Sequence, residues 1–184
     1  MTRTRRPLIP LNEADLQRLA LRYVERYATT RGRLADYLLR KVRERGWVGE
    51  RAPDAAGVAQ RMADLGYVND RLFAETRAGA MGRRGFGARR VGQALRHAGI
   101  EDADMDAVAS AIATDAPTSA IAFARRKRIG PFAREAADRQ QREKHLAAML
   151  RAGHGMDLSR KIIGMEPGDD IEALIVPDWD RFSD

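Results

Sequence analysis

Arg84-Gly85-Phe86-Gly87-Ala88-Arg89-Arg90-Val91-Gly92-Gln93-Ala94-Leu95-Arg96-His97-Ala98-Gly99 is the stretch on which the fold turns. Laid without a gap on Arg31-Gly32 through Gly46, it pairs Ala35 with Ala88, Val42 with Leu95 and Arg43 with Arg96, and both stretches close on a glycine. The offset is 53 residues. Gly153 follows Gly99 at an offset of 54, with Met149 in the column of Val42 and Leu95, although Asp138-Arg139 replaces Arg-Gly at the start. A helical unit that recurs at this length predicts an all-α array in which each unit buries its apolar stripe by stacking on the next. A single nine-helix globule with accidental internal similarity is the alternative.

The flanking segments obey the same grammar. Leu16, Leu19, Ala20, Tyr23, Val24 and Tyr27 recur at helical spacing behind Asn12, a natural N-cap, and leave Arg18, Arg22 and Arg26 on the other face. Leu34, Leu38 and Val42 form the stripe of a second helix ended by Gly46, and Val58, Met62 and Leu65 that of a third between Asp54 and Gly66. Asp70 is then expected to cap a helix carrying Leu72, Phe73, Thr76 and Ala80. In residues 88–98 the inward set is Ala88, Val91, Leu95 and Ala98; Met105, Val108, Ala109 and Ile112 follow. Pro117 and Thr118 open a seventh helix with Ala120, Phe123 and Ala124, an eighth lies within 134–152, and Asp157 caps a ninth with Leu158 and Ile162. Strand alternation is absent over any useful length.

Composition narrows the function. The chain has 184 residues, of which 44% are hydrophobic, 32% charged and 6% aromatic, and it lacks cysteine. Disulfides, thiolate metal sites and cysteine nucleophiles are thereby excluded. No apolar run approaches the ~18 residues that span a bilayer, and the basic N-terminus has no apolar core of a signal peptide. Residues 1–100 carry 21 Lys and Arg against 10 Asp and Glu, whereas 101–184 carry 12 against 16. The basic half attracts polyanions, and arginine suits phosphate through its planar fork of donors.

Catalytic signatures are missing. His97, His145 and His154 stand in no metal-ligand spacing, and His97 and His154 flank helix-ending glycines, where an imidazolium complements the helix dipole. Gly82-Arg83-Arg84-Gly85-Phe86-Gly87 lacks the preceding strand and the G-K-[ST] of a phosphate-cradling loop and reads as a turn between helices. The informative residues are basic: Arg83, Arg84, Arg89, Arg90 and Arg96 around the quoted stretch, Arg40, Lys41 and Arg43 (with Arg45) in the matching helix, and Arg125-Arg126-Lys127-Arg128. Displayed on repeated units, these suit an extended polyanion or a periodic filament. Outward Asn and Gln are too few for reading base edges.

Gly66-Tyr67-Val68-Asn69-Asp70-Arg71-Leu72-Phe73-Ala74, followed by Gly87-Ala88-Arg89-Arg90-Val91 and Leu95-Arg96-His97-Ala98-Gly99-Ile100, resembles the signature of the RecX family, bacterial regulatory proteins that modulate the RecA recombinase. The likeness extends over about residues 14–164. It implies three tandem three-helix repeats forming an elongated curved array that lies along the RecA–single-stranded DNA filament and restrains filament growth, strand exchange and ATP hydrolysis. It implies a cytoplasmic monomer that is not an enzyme, needs no cofactor or metal, and serves recombination and repair. The expected divisions are a basic arm at 1–13, repeats at 14–67, 68–115 and 116–164, and an acidic flexible tail at 165–184 that is either uninvolved or folds back over basic helices. A helical protein acting on single- or double-stranded DNA directly is the competing class.

Overall fold

The computed structural model describes residues 9–171. Among them all regular structure is helical: α1 (Glu13–Val24), α2 (Arg31–Arg45), α3 (Ala55–Asp64), α4 (Asp70–Arg83), α5 (Ala88–Arg96), α6 (Asp102–Thr114), α7 (Ala116–Lys127), a 3-10 turn at Gly130–Phe132, α8 (Arg139–Ala152) and α9 (Met156–Gly164). A lone bridge between Leu11 and Trp47 is the β-type pairing present. No single helix among the described residues is long and apolar enough to cross a membrane. The chain divides into two compact units, one running to Phe73 and taking in Ala98–Glu101, the other made of Ala74–His97 and the chain from Asp102.

In the first unit α1, α2 and α3 close on Leu16, Ala20, Leu34, Leu38, Ala55, Val58, Ala59, Met62 and Val68. Each fully buried leucine contributes about 1.5–3 kcal/mol through removal from water. Asn12 caps α1 reciprocally with Asp15, and Thr30 caps α2 by accepting from the Arg33 amide at 3.1 Å. The Thr30 hydroxyl in turn donates to the Ala98 carbonyl. Arg31 fixes the same corner: its amide and Nε reach the two oxygens of buried Asp70 at 2.9 and 3.2 Å, and its guanidinium meets Gln60 at 3.1 Å and Glu101 at 3.2 Å.

Four expected placements are corrected here. Leu65 is 62% exposed, because α3 ends at Asp64 and the chain reverses at Gly66, where φ is +80°, so that Val68 enters the core in its stead. Leu72 is 58% exposed. Asn69, rather than Asp70, caps α4 by accepting from the Leu72 amide at 2.8 Å. Asp70 therefore sits inside the first turn, facing inward with Ala74 and Met81, and Leu72 lies roughly 200° round the helix from it. Tyr27 follows the end of α1 and is exposed, not part of the buried stripe.

The second unit has its core in Ala120, Ile121, Phe123, Ala124, Ile129, Met149, Ala152, Ile162, Ile163 and Ile171, with Val91 and Leu95 of α5 and Val108 of α6 also buried. Asp138 caps α8 reciprocally with Gln141. Gly155, not Asp157, occupies the cap of α9. The acidic segment begins inside this unit: Met165 packs on the core, the Gly168 amide donates to Pro131 at 3.0 Å, and Ile171 is 7% exposed. The arm up to residue 8 and the tail from 172 lie outside the described residues.

Two backbone contacts connect helix ends within the units. In the first, a Cβ on Gly32 near the start of α2 would lie 2.9 Å from Gly99 Cα; in the second, a Cβ on Gly87 before α5 would lie 2.4 Å from the Gly153 carbonyl carbon. Gly99 and Gly153 both have positive φ, +73° and +97°. Both pairs thus place a helix start directly on the glycine that ends another helix. The sequence register aligned Gly32 with Gly85, yet Gly87 makes the equivalent approach, because α5 starts one turn later than α2 in that register.

Candidate functional site

Basic side chains of the second unit are gathered at two places. At the first, α4 ends at Arg83 and the turn Arg84-Gly85 is held by the Gly85 and Phe86 amides donating to Gly82 and Met81 at 2.7 and 3.0 Å. Gly85 lies on the Phe123 backbone of α7, where a Cβ would come within 2.8 Å. That contact brings Arg83 and Arg84 beside the cationic end of α7, and the Arg126 guanidinium donates to the Arg84 carbonyl. Arg125, Arg126 and Lys127 fill the last turn of α7, and Arg128, in the left-handed region at φ 55°, terminates it. Cations there also complement the helix dipole. Three of the guanidinium groups lie over rings: Arg84 over Phe86 at 5.9 Å, Arg126 over Phe123 at 5.6 Å and Arg125 over Phe132 at 5.1 Å.

The second place is α5. Gly87 caps it, its amide donating to Ala152 at 2.9 Å, and the Arg89 amide donates to Gly153 at 3.2 Å, so the helix starts on the end of α8. Arg89, Gln93 and Arg96 form one exposed stripe beside Arg90, while Val91 and Leu95 are buried. Ala88, expected inward, is exposed, because Gly87 already occupies the place against Gly153. Among the described residues no ion pair engages Arg83, Arg89, Arg90 or Arg96.

Arg40, Lys41 and Arg43 belong to the first unit, on α2. Glu44 lies 3.7 Å from Arg40 and 2.6 Å from Lys41, and the Lys41 hydrogen bond holds its carboxyl below the usual carboxylate range. Their charge is partly offset. The same helix adds Tyr37 to the Tyr23 and Tyr27 expected in the apolar stripe of α1: Tyr23 stacks on Tyr37 at 4.3 Å and 28°, and Tyr27 tilts against Tyr23 at 5.1 Å. Arg40 and Lys41 lie 5.5 and 5.8 Å from the Tyr37 ring centre. The available signal was the interleaving of Arg22-Tyr23 and Arg26-Tyr27 in one segment with Tyr37 and Arg40-Lys41 in the next.

His154 is 2% exposed, packs against Phe123 at 5.5 Å and sets Nε2 3.2 Å from the Gly85 carbonyl. A carbonyl only accepts, so Nε2 carries the proton. Burial pushes the imidazole below its ordinary value, so it is a neutral core group and not the dipole-complementing cation its position suggested. No cluster of three or more His, Asp or Glu among the described residues has the arrangement of a metal site.

No family model matches the chain. It is 34% identical over 161 residues to the regulatory protein RecX of Myxococcus xanthus (strain DK1622), covering 83% of this chain and 86% of that one. The crystal structure of RecX from Lactobacillus salivarius shares its fold with a TM-score of 0.59 at 21% identity, over 82% of this chain and 94% of the other. A second crystal structure of a regulatory protein RecX gives 0.51 at 18% identity, over 82% and 72%. The identity to the Myxococcus protein, sustained over most of both chains, together with the shared helical fold, shows that this chain belongs to the RecX family of regulatory proteins.

Proposed function

We propose that this protein regulates the RecA recombinase, mainly as an inhibitor, by binding the RecA–single-stranded DNA filament and limiting its growth, ATP hydrolysis and strand exchange. The observation that carries this reading is the sequence identity to a RecX regulatory protein over most of the chain. Exposed basic surfaces support it, since a filament presents phosphate and carboxylate along its length. In this reading Arg83, Arg84, Arg89, Arg90, Arg96 and Arg125 to Arg128 contact the filament, Arg40, Lys41 and Arg43 contribute from the first unit, and the protein acts as a cytoplasmic monomer without catalysis. Along the sequence the helices are read as three repeats of three, at 14–67, 68–115 and 116–164, whose bounds differ from those of the two compact units. The recurrence of a glycine-on-glycine helix junction, first at Gly32 and Gly99 and then at Gly87 and Gly153, supports that division.

The test adds the protein to RecA hydrolysing ATP on single-stranded DNA. Loss of ATPase at sub-stoichiometric amounts supports filament regulation; loss only when the protein covers the DNA supports direct DNA binding, which the same basic surfaces favour as the second reading. Arg89→Glu with Arg90→Glu separates the two. Weaker binding to filaments alone supports the regulator, and equal losses on naked DNA and filaments support the alternative.

A further inference from the structure

We propose that the first unit carries a stacking site for unpaired nucleic-acid bases, centred on Tyr27. The inference deepens the DNA contact of the proposed function and rests on that reading. Three tyrosines in contact form a ladder, Tyr37 on Tyr23 and Tyr23 against Tyr27, and its last ring is 57% exposed. The ladder is ordered before any ligand arrives: Tyr23 and Tyr37 are half-buried, and the Tyr27 amide donates to the Tyr23 carbonyl at 3.0 Å, fixing the backbone beyond α1. An exposed aromatic ring held in place is a platform on which any base stacks.

The surrounding charge selects the ligand. An open groove is lined by Tyr23, Tyr27 and Tyr37 with Arg22, Arg26, Arg40 and Lys41; Leu19 completes it, and no carboxylate lines it. Glu44 is within ion-pair distance of Arg40 and Lys41 and is not part of the lining, and among the described residues no ion pair engages Arg22 or Arg26 in the groove wall. Aromatic faces beside a row of cations match a strand whose bases are splayed and whose phosphates run alongside. A duplex keeps its base faces inside the stack. An acidic protein segment uses the cations but has no need of the open ring.

The experiment measures fluorescence anisotropy of a labelled oligo(dT) with the full chain, and with a duplex of equal length as control. Tyr27→Ala is expected to weaken oligo(dT) binding about five- to a hundredfold, the usual range for one stacked base. Tyr27→Phe retains binding within about twofold, and duplex binding is unchanged by Tyr27→Ala. Unchanged oligo(dT) affinity in Tyr27→Ala overturns the proposal, as does an equal loss on duplex or an equal loss in Tyr27→Phe. Should Tyr27→Ala lower the thermal midpoint, Tyr27→Trp replaces it: oligo(dT) must alter the added indole emission relative to wild type, and no change overturns the site. The RecA ATPase assay keeps the two ideas apart. A Tyr27-dependent oligo(dT) affinity in a protein without effect on RecA removes the regulator and leaves the site; ATPase restraint lost in Tyr27→Ala with oligo(dT) affinity intact assigns the groove to a protein partner and removes the site.

Discussion

His154 couples the second unit to pH. Burial lowers its pKa below 6.5 in the folded state, so the unfolded chain takes up a proton there first. The stability that this residue's neutral form supports is complete above about 6.5 and is lost as pH falls below it. In His154→Gln, urea unfolding should show an acid-side slope reduced by up to about 1.4 kcal/mol per pH unit, because one proton fewer is taken up on unfolding. An unchanged slope excludes that linkage. On α5 the same scale separates stability from binding. Leu95 is fully buried, so Leu95→Ala should cost roughly 2–5 kcal/mol, whereas Arg89→Glu and Arg90→Glu on the exposed face should each stay within about 0.5 kcal/mol. Thermal unfolding checks both; a large destabilisation by the exposed pair places those side chains in the packing.

Helix ends, more than helix faces, are where this fold is specific. Gly87 has an ordinary negative φ, −79°, so Gly87→Ala carries no left-handed strain and tests the junction with Gly153 by sterics alone. It should destabilise by about 1–3 kcal/mol as α5 is pushed from the end of α8. Gly82→Ala, inside α4 with no atom within 4 Å of the added methyl, should stabilise by about 0.5–1 kcal/mol. If the two variants unfold alike, the junction has slack. The helices themselves were legible in the sequence, since an apolar stripe at 3.6 spacing and a closing glycine report directly on local structure. What stayed hidden depended on partners distant in sequence. Asp70 reads as a cap until Arg31 is seen to hold it inside the turn, and Tyr27 fits the core stripe until α1 is seen to stop before it. The basic clusters were legible as residues, but the junction of Arg84 with Arg126 arises only from Gly85 lying on Phe123.

At the scale of the molecule the decisive quantity is charge, +7 overall with the excess in the first hundred residues. If phosphate is the partner, log affinity should fall linearly with log salt, and each lost contact should lower the slope by a little under about 1. Removing Arg89 and Arg90 together should then flatten it by nearly twice that. A plot unchanged in slope but lower in affinity identifies a contact that is not with phosphate. The two units also differ from beads on a string in one respect. The chain leaves the first unit after Phe73 and comes back to it only at Ala98–Glu101, where the Ala98 carbonyl receives Thr30 and the Glu101 carboxylate receives Arg31. During synthesis, therefore, the first unit remains unfinished until residue 101 has emerged from the ribosome, by which time α5 and the part of α4 that belongs to the second are already outside. A nascent chain released at Phe73 should be cut rapidly by protease, whereas one released after Glu101 should protect α1 to α3. No single cleavage yields both units whole, and that makes this protein a poor substrate for division into modules.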